Sequence, residues 1–276
     1  MWKFLRPLLE RQTRASFEYQ WKNLPVGRGL LSDQRFRDRV KGIIPSQELC
    51  VDPGWLKGRD VIDVGCGNGR WTYGFLELGA RVTAFDQSPS AIESIRASSF
   101  DQHPNLRLAV GNIYTPPPEV LDRRYDLVWC WGVAHHVADT ARAIRVLATQ
   151  LMKEDGLLYL YIYSRQSYTR KRRLELQLQR YLLAPLPFKA KEWVLHKRYR
   201  GRGVHGAFDR LSPTINTLYT YEDIEDMCKE AGLQHVERTI DHTELFLRAY
   251  RDNCSARAFF TPKPTPPYWF QQMPLE

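Results

Sequence analysis

Between residues 59 and 163, short runs of β-branched and apolar residues alternate with longer stretches whose apolar positions recur every three to four residues. Short, uniformly apolar runs read as strands buried on both faces, and the longer periodic stretches as amphipathic helices. The pattern predicts strands over Asp60–Val64, Arg81–Phe85, Leu106–Val110, Asp126–Trp131 and Leu157–Tyr163, the last entered through an Asp155-Gly156 turn. Helices are predicted over Gly69–Leu78, from Ser88-Pro89 onward, and over Ala138–Met152. In the second of these, Ser88 is the N-cap and Pro89 takes the first helical position, where its missing N–H costs nothing. Strands alternating with helices at this spacing imply an α/β fold with a doubly wound, mostly parallel sheet.

The alternation stops after the fifth strand. Residues 164–215 carry helical stretches over Arg170–Leu183 and Lys189–Arg198, broken by Pro185, Pro187, Gly201 and Gly203. They read as an inserted helical cap, because the sheet pattern resumes afterwards. Thr220-Tyr221-Glu222-Asp223 has the form of a capping box, opening a helix that runs to Ala231 and ends at Gly232. Leu233–Thr239 and Thr243–Tyr250 then complete a seven-stranded sheet. The chain divides into an N-terminal helical lid segment (1–45), a core (46–163), the cap (164–215), the last helix and strands of the core (216–260), and a proline-rich tail (261–276) read as an extended arm.

Composition adds limits. The 276 residues are 43% hydrophobic and 12% aromatic, which is the make-up of a folded domain with a sizeable core. No apolar run approaches the roughly 20 residues that span a bilayer, and the first residues lack the pattern of a signal peptide. Cys50, Cys66, Cys130, Cys228 and Cys254 are scattered and odd in number, so a reducing, cytoplasmic setting is expected and no metal site is. The net charge of +9 is uneven: residues 164–215 hold thirteen Lys/Arg against three Asp/Glu, a balance of +10, and residues 1–45 a balance of +6. Two basic segments around an acidic remainder point to an anionic partner.

Candidate chemistry begins where the first strand runs into Gly65-Cys66-Gly67-Asn68-Gly69. A glycine-rich turn opening a helix lets backbone N–H groups approach a ligand closely. A dinucleotide fingerprint requires a third glycine at position 70, which here is Arg70. Asp86, ending the second strand, is placed to accept from ribose hydroxyls.

From Val61 to Tyr163 the chain resembles the class I S-adenosylmethionine-dependent methyltransferases, which have a Rossmann-like fold. Asp63-Val64-Gly65-Cys66-Gly67-Asn68-Gly69 matches the family's D-x-G-C-G-x-G turn, and Ala84-Phe85-Asp86-Gln87-Ser88 its acidic second strand end. Tyr125-Asp126-Leu127-Val128 followed by His135-His136-Val137 matches the fourth strand and the start of the next helix. Leu151-Met152-Lys153-Glu154-Asp155-Gly156 matches the L-K-P-G-G turn with its proline and first glycine replaced. The resemblance implies S-adenosylmethionine as cofactor, S-adenosylhomocysteine as product, and no metal. Asp63 and the backbone of Gly65, Cys66, Gly67, Asn68 and Gly69 would hold the methionine end, Asp86 the ribose, Gln87 would lie by the adenine, and Ile113 would also contact the cofactor. Asn112 stands where the family has an aspartate, and its side-chain oxygen would accept from the adenine amino group. Trp131 and Gly132 would run beside the methionine portion. Phe17-Glu18-Tyr19-Gln20-Trp21 resembles the F-x-x-Q-W segment of one branch of the family, in which Tyr19 and Trp21 would fold over the sulfonium as cation–π partners.

The acceptor half is less defined. An oxygen acceptor needs a base, and His135 and His136, just past the fourth strand, are candidates, with His135 nearer the strand end. His205 and Asp209, in a glycine-flanked loop of the cap, form a second pair. Arg170 and Arg173, within the run Arg170–Arg173, would bind phosphate or carboxylate of an anionic small-molecule or lipid-linked acceptor. Two rival functions are an RNA-directed methyltransferase using the basic cap and a non-catalytic cofactor-binding scaffold. The Asn/Asp-Pro-Pro-aromatic motif of amino-methylating DNA enzymes is missing at Trp129-Cys130-Trp131-Gly132. Trp2, Leu5, Leu8 and Leu9 with Lys3, Arg6, Arg11 and Arg14 would form a short basic amphipathic helix for peripheral contact with the inner membrane surface. Nothing in the sequence sets an oligomeric state.

Overall fold

The computed structural model describes residues 2–24, 34–98, 100–201 and 203–272, apart from the side chains of residues 2–4 and 272. Trp2 and Lys3 of the N-terminal pattern therefore have side chains outside the described residues, as does the end of the tail.

Among the described residues one sheet contains β1 (Asp60–Val64), β2 (Arg81–Asp86), β3 (Leu106–Val110), β4 (Tyr125–Trp131), β5 (Met152–Ile162), β6 (His235–Arg238) and β7 (Leu245–Tyr250), in the order β3-β2-β1-β4-β5-β7-β6. The first five strands are parallel, and β7 pairs antiparallel with both β5 and β6. The α/β, doubly wound reading holds. Alternate side chains sort to two faces: Val61, Leu127, Trp129, Leu157 and Tyr159 join one core layer, while Ile62, Val128, Cys130, Leu158 and Leu160 join the other. With both faces covered, the central stretches Leu127–Cys130 and Leu157–Leu160 are apolar at every position, which is why period-2 alternation is invisible there.

One face is covered by α2 (Gln34–Ile43), α3 (Arg70–Glu77) and α4 (Pro89–Arg96), through residues such as Phe36, Val40, Phe75 and Ile92. The other is covered by α6 (Thr140–Val146) and α10 (Tyr221–Glu230), with α5 (Pro118–Leu121) a single turn before β4. Both hydrogen bonds of the Thr220–Asp223 capping box are formed.

Three local expectations change. The helix from residue 138 is α-helical only over Thr140–Val146 and closes as a wider π turn over Leu147–Leu151. No turn precedes the fifth strand at Asp155-Gly156; β5 starts at Met152, and residues 153–156 are absorbed as a register shift, since Tyr125 pairs with Met152 but Leu127 with Leu157. The tail is not a free arm: Trp269, in the short α11 (Trp269–Gln272), is buried in the first core layer, where its indole N–H donates to Glu48.

The N-terminal helix α1 (Trp2–Asn23) runs through Pro7 and is fastened at two places. Glu18 accepts from the hydroxyls of Ser88 and Ser90 at the start of α4. Gln12, Thr13 and Ser16 bond to Ser212, Thr214 and Ile215 behind the cap. The cap consists of α7 (Arg170–Leu183), α8 (Phe188–Arg198) and α9 (Val204–Leu211), which share a small core of Leu176, Leu183, Leu195, Val204, Ala207, Phe208 and Leu211. The stretch after Gly203 is a helix rather than the expected loop. Gly203 does not break structure there; at φ 63° it is the N-cap of α9.

Candidate active site

In a doubly wound sheet the crevice lies beyond the carboxyl ends of the strands, where the strand order reverses. Here that point lies between β1 and β4, and a cavity of about 300 Å³ opens there. Its floor is the glycine-rich turn, its roof is α1 and α9.

The turn is tied to the next strand. Gly65 and Cys66 N–H groups both donate to the Phe85 carbonyl, and Gly67 N–H donates to Asp86 Oδ2 at 3.0 Å. Ser88 N–H donates to the other oxygen of Asp86 at 2.8 Å. Each carboxylate oxygen keeps further accepting capacity at the cavity wall. Burial lifts this carboxyl to about 6, against the bonds from Ser88 and Gly67. Asp63 is buried beneath the turn, accepts from the Thr72 hydroxyl at 2.6 Å, and is pushed up by burial to about 7. Gly67, at φ 54°, has the Trp21 indole directly above it: a Cβ there would lie 2.5 Å from Trp21 Cζ2. Phe17 and Trp21, one helical turn apart on α1, both reach the cavity.

Tyr19, between them in sequence, faces the cap instead. Its ring stacks on Phe208 and its hydroxyl bonds to Glu192. Asn112 uses its side-chain oxygen to accept from Tyr114 N–H at 2.8 Å, closing its own turn, while its neighbours Gly111 and Ile113 line the cavity. Gly65, Cys66, Gly67, Asn68, Asp86, Gln87, Trp131 and Gly132 line it as well, whereas Asp63 and Gly69 lie behind the turn.

The two adjacent histidines part company. His135 is wholly buried away from the cavity, stacked on Tyr163 at 3.9 Å, with Nδ1 accepting from Tyr163 N–H at 3.4 Å. Burial, then the neighbouring His136, holds its pKa well below the usual histidine value. His136 is in the cavity wall. Its Nδ1 is 3.0 Å from the Ile215 carbonyl, which can only accept, so Nδ1 donates there and Nε2 is the nitrogen left for other partners. That Nε2 lies 3.7 Å from Asp209 Oδ2. Asp209 also accepts from the Tyr163 hydroxyl at 2.8 Å. Burial works to raise the Asp209 carboxyl, but His136 and Tyr163 outweigh it and hold it below the usual carboxylate range. His205 Nε2 accepts from the Gln20 amide at 2.9 Å, which leaves its Nδ1–H as a donor in the wall, and burial keeps the ring neutral. Arg170 is exposed and Arg173 bonds to the Arg165 carbonyl; neither lines the cavity.

Sequence reasoning counted Arg70 only as a missing glycine. The structure places it in the cavity wall, its guanidinium over the rings of Trp71 and Trp131 at 4.8 and 4.6 Å. Burial lowers its pKa to about 10, against the pull of Glu48 and Asp63, so it is charged at neutral pH. Tyr161 and Tyr163, which the sequence did not single out, also line the cavity.

Fold and crevice together define a class I, S-adenosylmethionine-dependent methyltransferase. A methyltransferase domain family model matches residues 36–238, and the chain belongs to that family. Among curated proteins it is similar to ubiquinone biosynthesis O-methyltransferases: 33% identical over 113 residues to that of Coxiella burnetii, covering 40% of this chain and 46% of the relative. To that of Xanthomonas campestris it is 33% identical over 110 residues, covering 40% and 45%. The match thus spans less than half the length of these relatives. Among solved structures, the magnesium protoporphyrin IX methyltransferase of Synechocystis PCC 6803, with SAM bound, shares the fold with a TM-score of 0.52 at 15% identity, over 87% of this chain and 97% of that one. An O-methyltransferase family protein from Burkholderia thailandensis shares it with a TM-score of 0.50 at 17% identity, over 80% and 61%.

Proposed function

We propose that this chain methylates a hydroxyl of a small, largely apolar acceptor, with His136 as general base. The observation that carries the reading is the orientation of His136: its Nδ1 donates to the Ile215 carbonyl, which leaves Nε2, on a ring that lines the cavity beside Asp209, as the nitrogen available to a hydroxyl. The naming of the matched relatives as O-methyltransferases supports oxygen as the acceptor atom.

The residues present fit the cofactor. Asp86 offers two oxygens to vicinal hydroxyls, and Asn68 Nδ2 and His205 Nδ1 are buried donors lacking a protein partner among the described residues. In this reading Asp86 holds the ribose, Gln87 and Ile113 flank the adenine, and Gly65–Gly69 with Asn68 receive the methionine end. Arg70 supplies a cation for its carboxylate, and Trp21 closes over the turn. Trp131 and Gly132 border the same region. S-adenosylmethionine supplies an electrophilic methyl group when bound.

For the acceptor, the wall offers Phe17, Val133, Val137, Tyr161 and Tyr163, a surface suited to an aromatic or aliphatic body. His136 Nε2 takes the hydroxyl proton, and the imidazolium so formed faces the Asp209 carboxylate, which Tyr163 holds in place. This charge pairing favours the proton's arrival on His136. Positioning supplies much of the remaining acceleration. The acceptor enters by its body rather than by an anionic group at Arg170 and Arg173, which stand outside the cavity. Incubating the protein with methyl-labelled S-adenosylmethionine and a set of phenols, alcohols and amines tests the reading. Label in an ether supports it; label only in amines, or only in RNA supplied alongside, overturns it.

A further inference from the structure

We propose that the outer face of the cap docks on the surface of an anionic lipid bilayer. Helices α7 and α8 turn Leu176, Leu183 and Leu195 inward onto α9. On the opposite side of α7, Leu174, Leu178, Tyr181 and Leu182 follow the i, i+4, i+7, i+8 spacing of one helical face and are 60–78% exposed. A soluble helix normally buries such a stripe. Trp193, 63% exposed, stands on α8 away from Leu195. Cations occupy the same faces one turn away: Arg170 precedes Leu174, and Lys189 and Lys197 flank Trp193.

Leucines with interfacial aromatics and a cationic border match the boundary between headgroups and acyl chains, where apolar side chains are buried shallowly and Lys/Arg meet anionic headgroups. Charge also selects this occupant over a second copy of the chain. A two-fold dimer through the face would set two segments of balance +10 against each other, whereas an anionic bilayer neutralises both. No described helix is long and apolar enough to cross a membrane, so the contact is interfacial. Because α9 carries His205 and Asp209, the docked face lies directly behind one wall of the cavity. The inference stands on the cap's outer surface alone and does not depend on the identity of the methyl acceptor.

The test is co-sedimentation of the full chain with vesicles of phosphatidylcholine, with and without phosphatidylglycerol, at low and high salt. Wild type should bind the anionic vesicles and release partly as salt rises. The Leu174→Glu, Leu178→Glu double variant should bind at least about tenfold more weakly, given that burying one leucine is worth roughly a tenfold change. An unchanged thermal melt and retained S-adenosylhomocysteine binding establish that the variant is folded. Absence of wild-type binding to any vesicle overturns the proposal, as does equal binding by the variant. A wild-type dimer that the variant makes monomeric, without vesicle binding, assigns the face to a second copy instead.

Discussion

Trp21 covers Gly67 so closely that the glycine has no room for a side chain, which makes α1 a structural part of the cofactor turn rather than an appendage. The contact couples α1 to the turn that follows β1.

Gly67→Ala combines a left-handed backbone, φ 54°, with a Cβ 2.5 Å from the indole. The strain alone costs roughly 1–2 kcal/mol, and displacement of Trp21 should weaken cofactor binding as well. In a Trp21→Ala background the same substitution should cost less, because the clash is gone. A double-mutant cycle by thermal unfolding and calorimetry measures this coupling.

The two histidines give opposite phenotypes. His136→Gln should lower the rate of methyl transfer to a hydroxyl by about 10²–10⁴-fold, with little change in melting temperature. His135→Ala removes a fully buried ring stacked on Tyr163 and should destabilise the fold by about 2–4 kcal/mol, while molecules that remain folded keep the catalytic group. Asp209→Asn should reduce the rate without removing the base.

Glu48 predicts a pH dependence of stability. Burial, partly offset by bonds from Tyr159 and Trp269, lifts its carboxyl from 4.5 to about 7. Between those values the native state binds more protons than the unfolded chain, so stability falls as pH rises. Asp63 and Asp86 are raised to about 7 and about 6 and act in the same direction. The melting temperature of the ligand-free protein should therefore decline from pH 5 to pH 7 or so. Glu48→Gln, whose amide can still serve Tyr159 and Trp269, should flatten that slope by an amount of order 1–3 kcal/mol in stability.

The strand–turn–helix core was legible because its signals are local: Ser88-Pro89 at a helix start, the Thr220–Asp223 box, and the apolar runs of Leu106–Val110. What escaped depends on distant partners. Whether Tyr19 or Trp21 meets the cofactor turn is decided by Phe208 and Glu192, which claim Tyr19 for the cap. His136 rather than His135 enters the cavity because Tyr163 and Ile215 sort the pair to opposite sides. Arg70 looked like an absence; only the two tryptophans around it reveal a cation held in the wall. Gly203 read as a breaker because glycine both ends helices and, at positive φ, caps their beginnings.

The most direct test of the account is calorimetric titration of S-adenosylhomocysteine into wild type and Asp86→Ala. The loss of charge-assisted hydrogen bonds worth roughly 1.5–3 kcal/mol each predicts measurable one-to-one binding by wild type and an affinity at least about tenfold lower in the variant. No binding by folded wild type, or equal affinity in the two, would contradict the assignment of this crevice as the cofactor site.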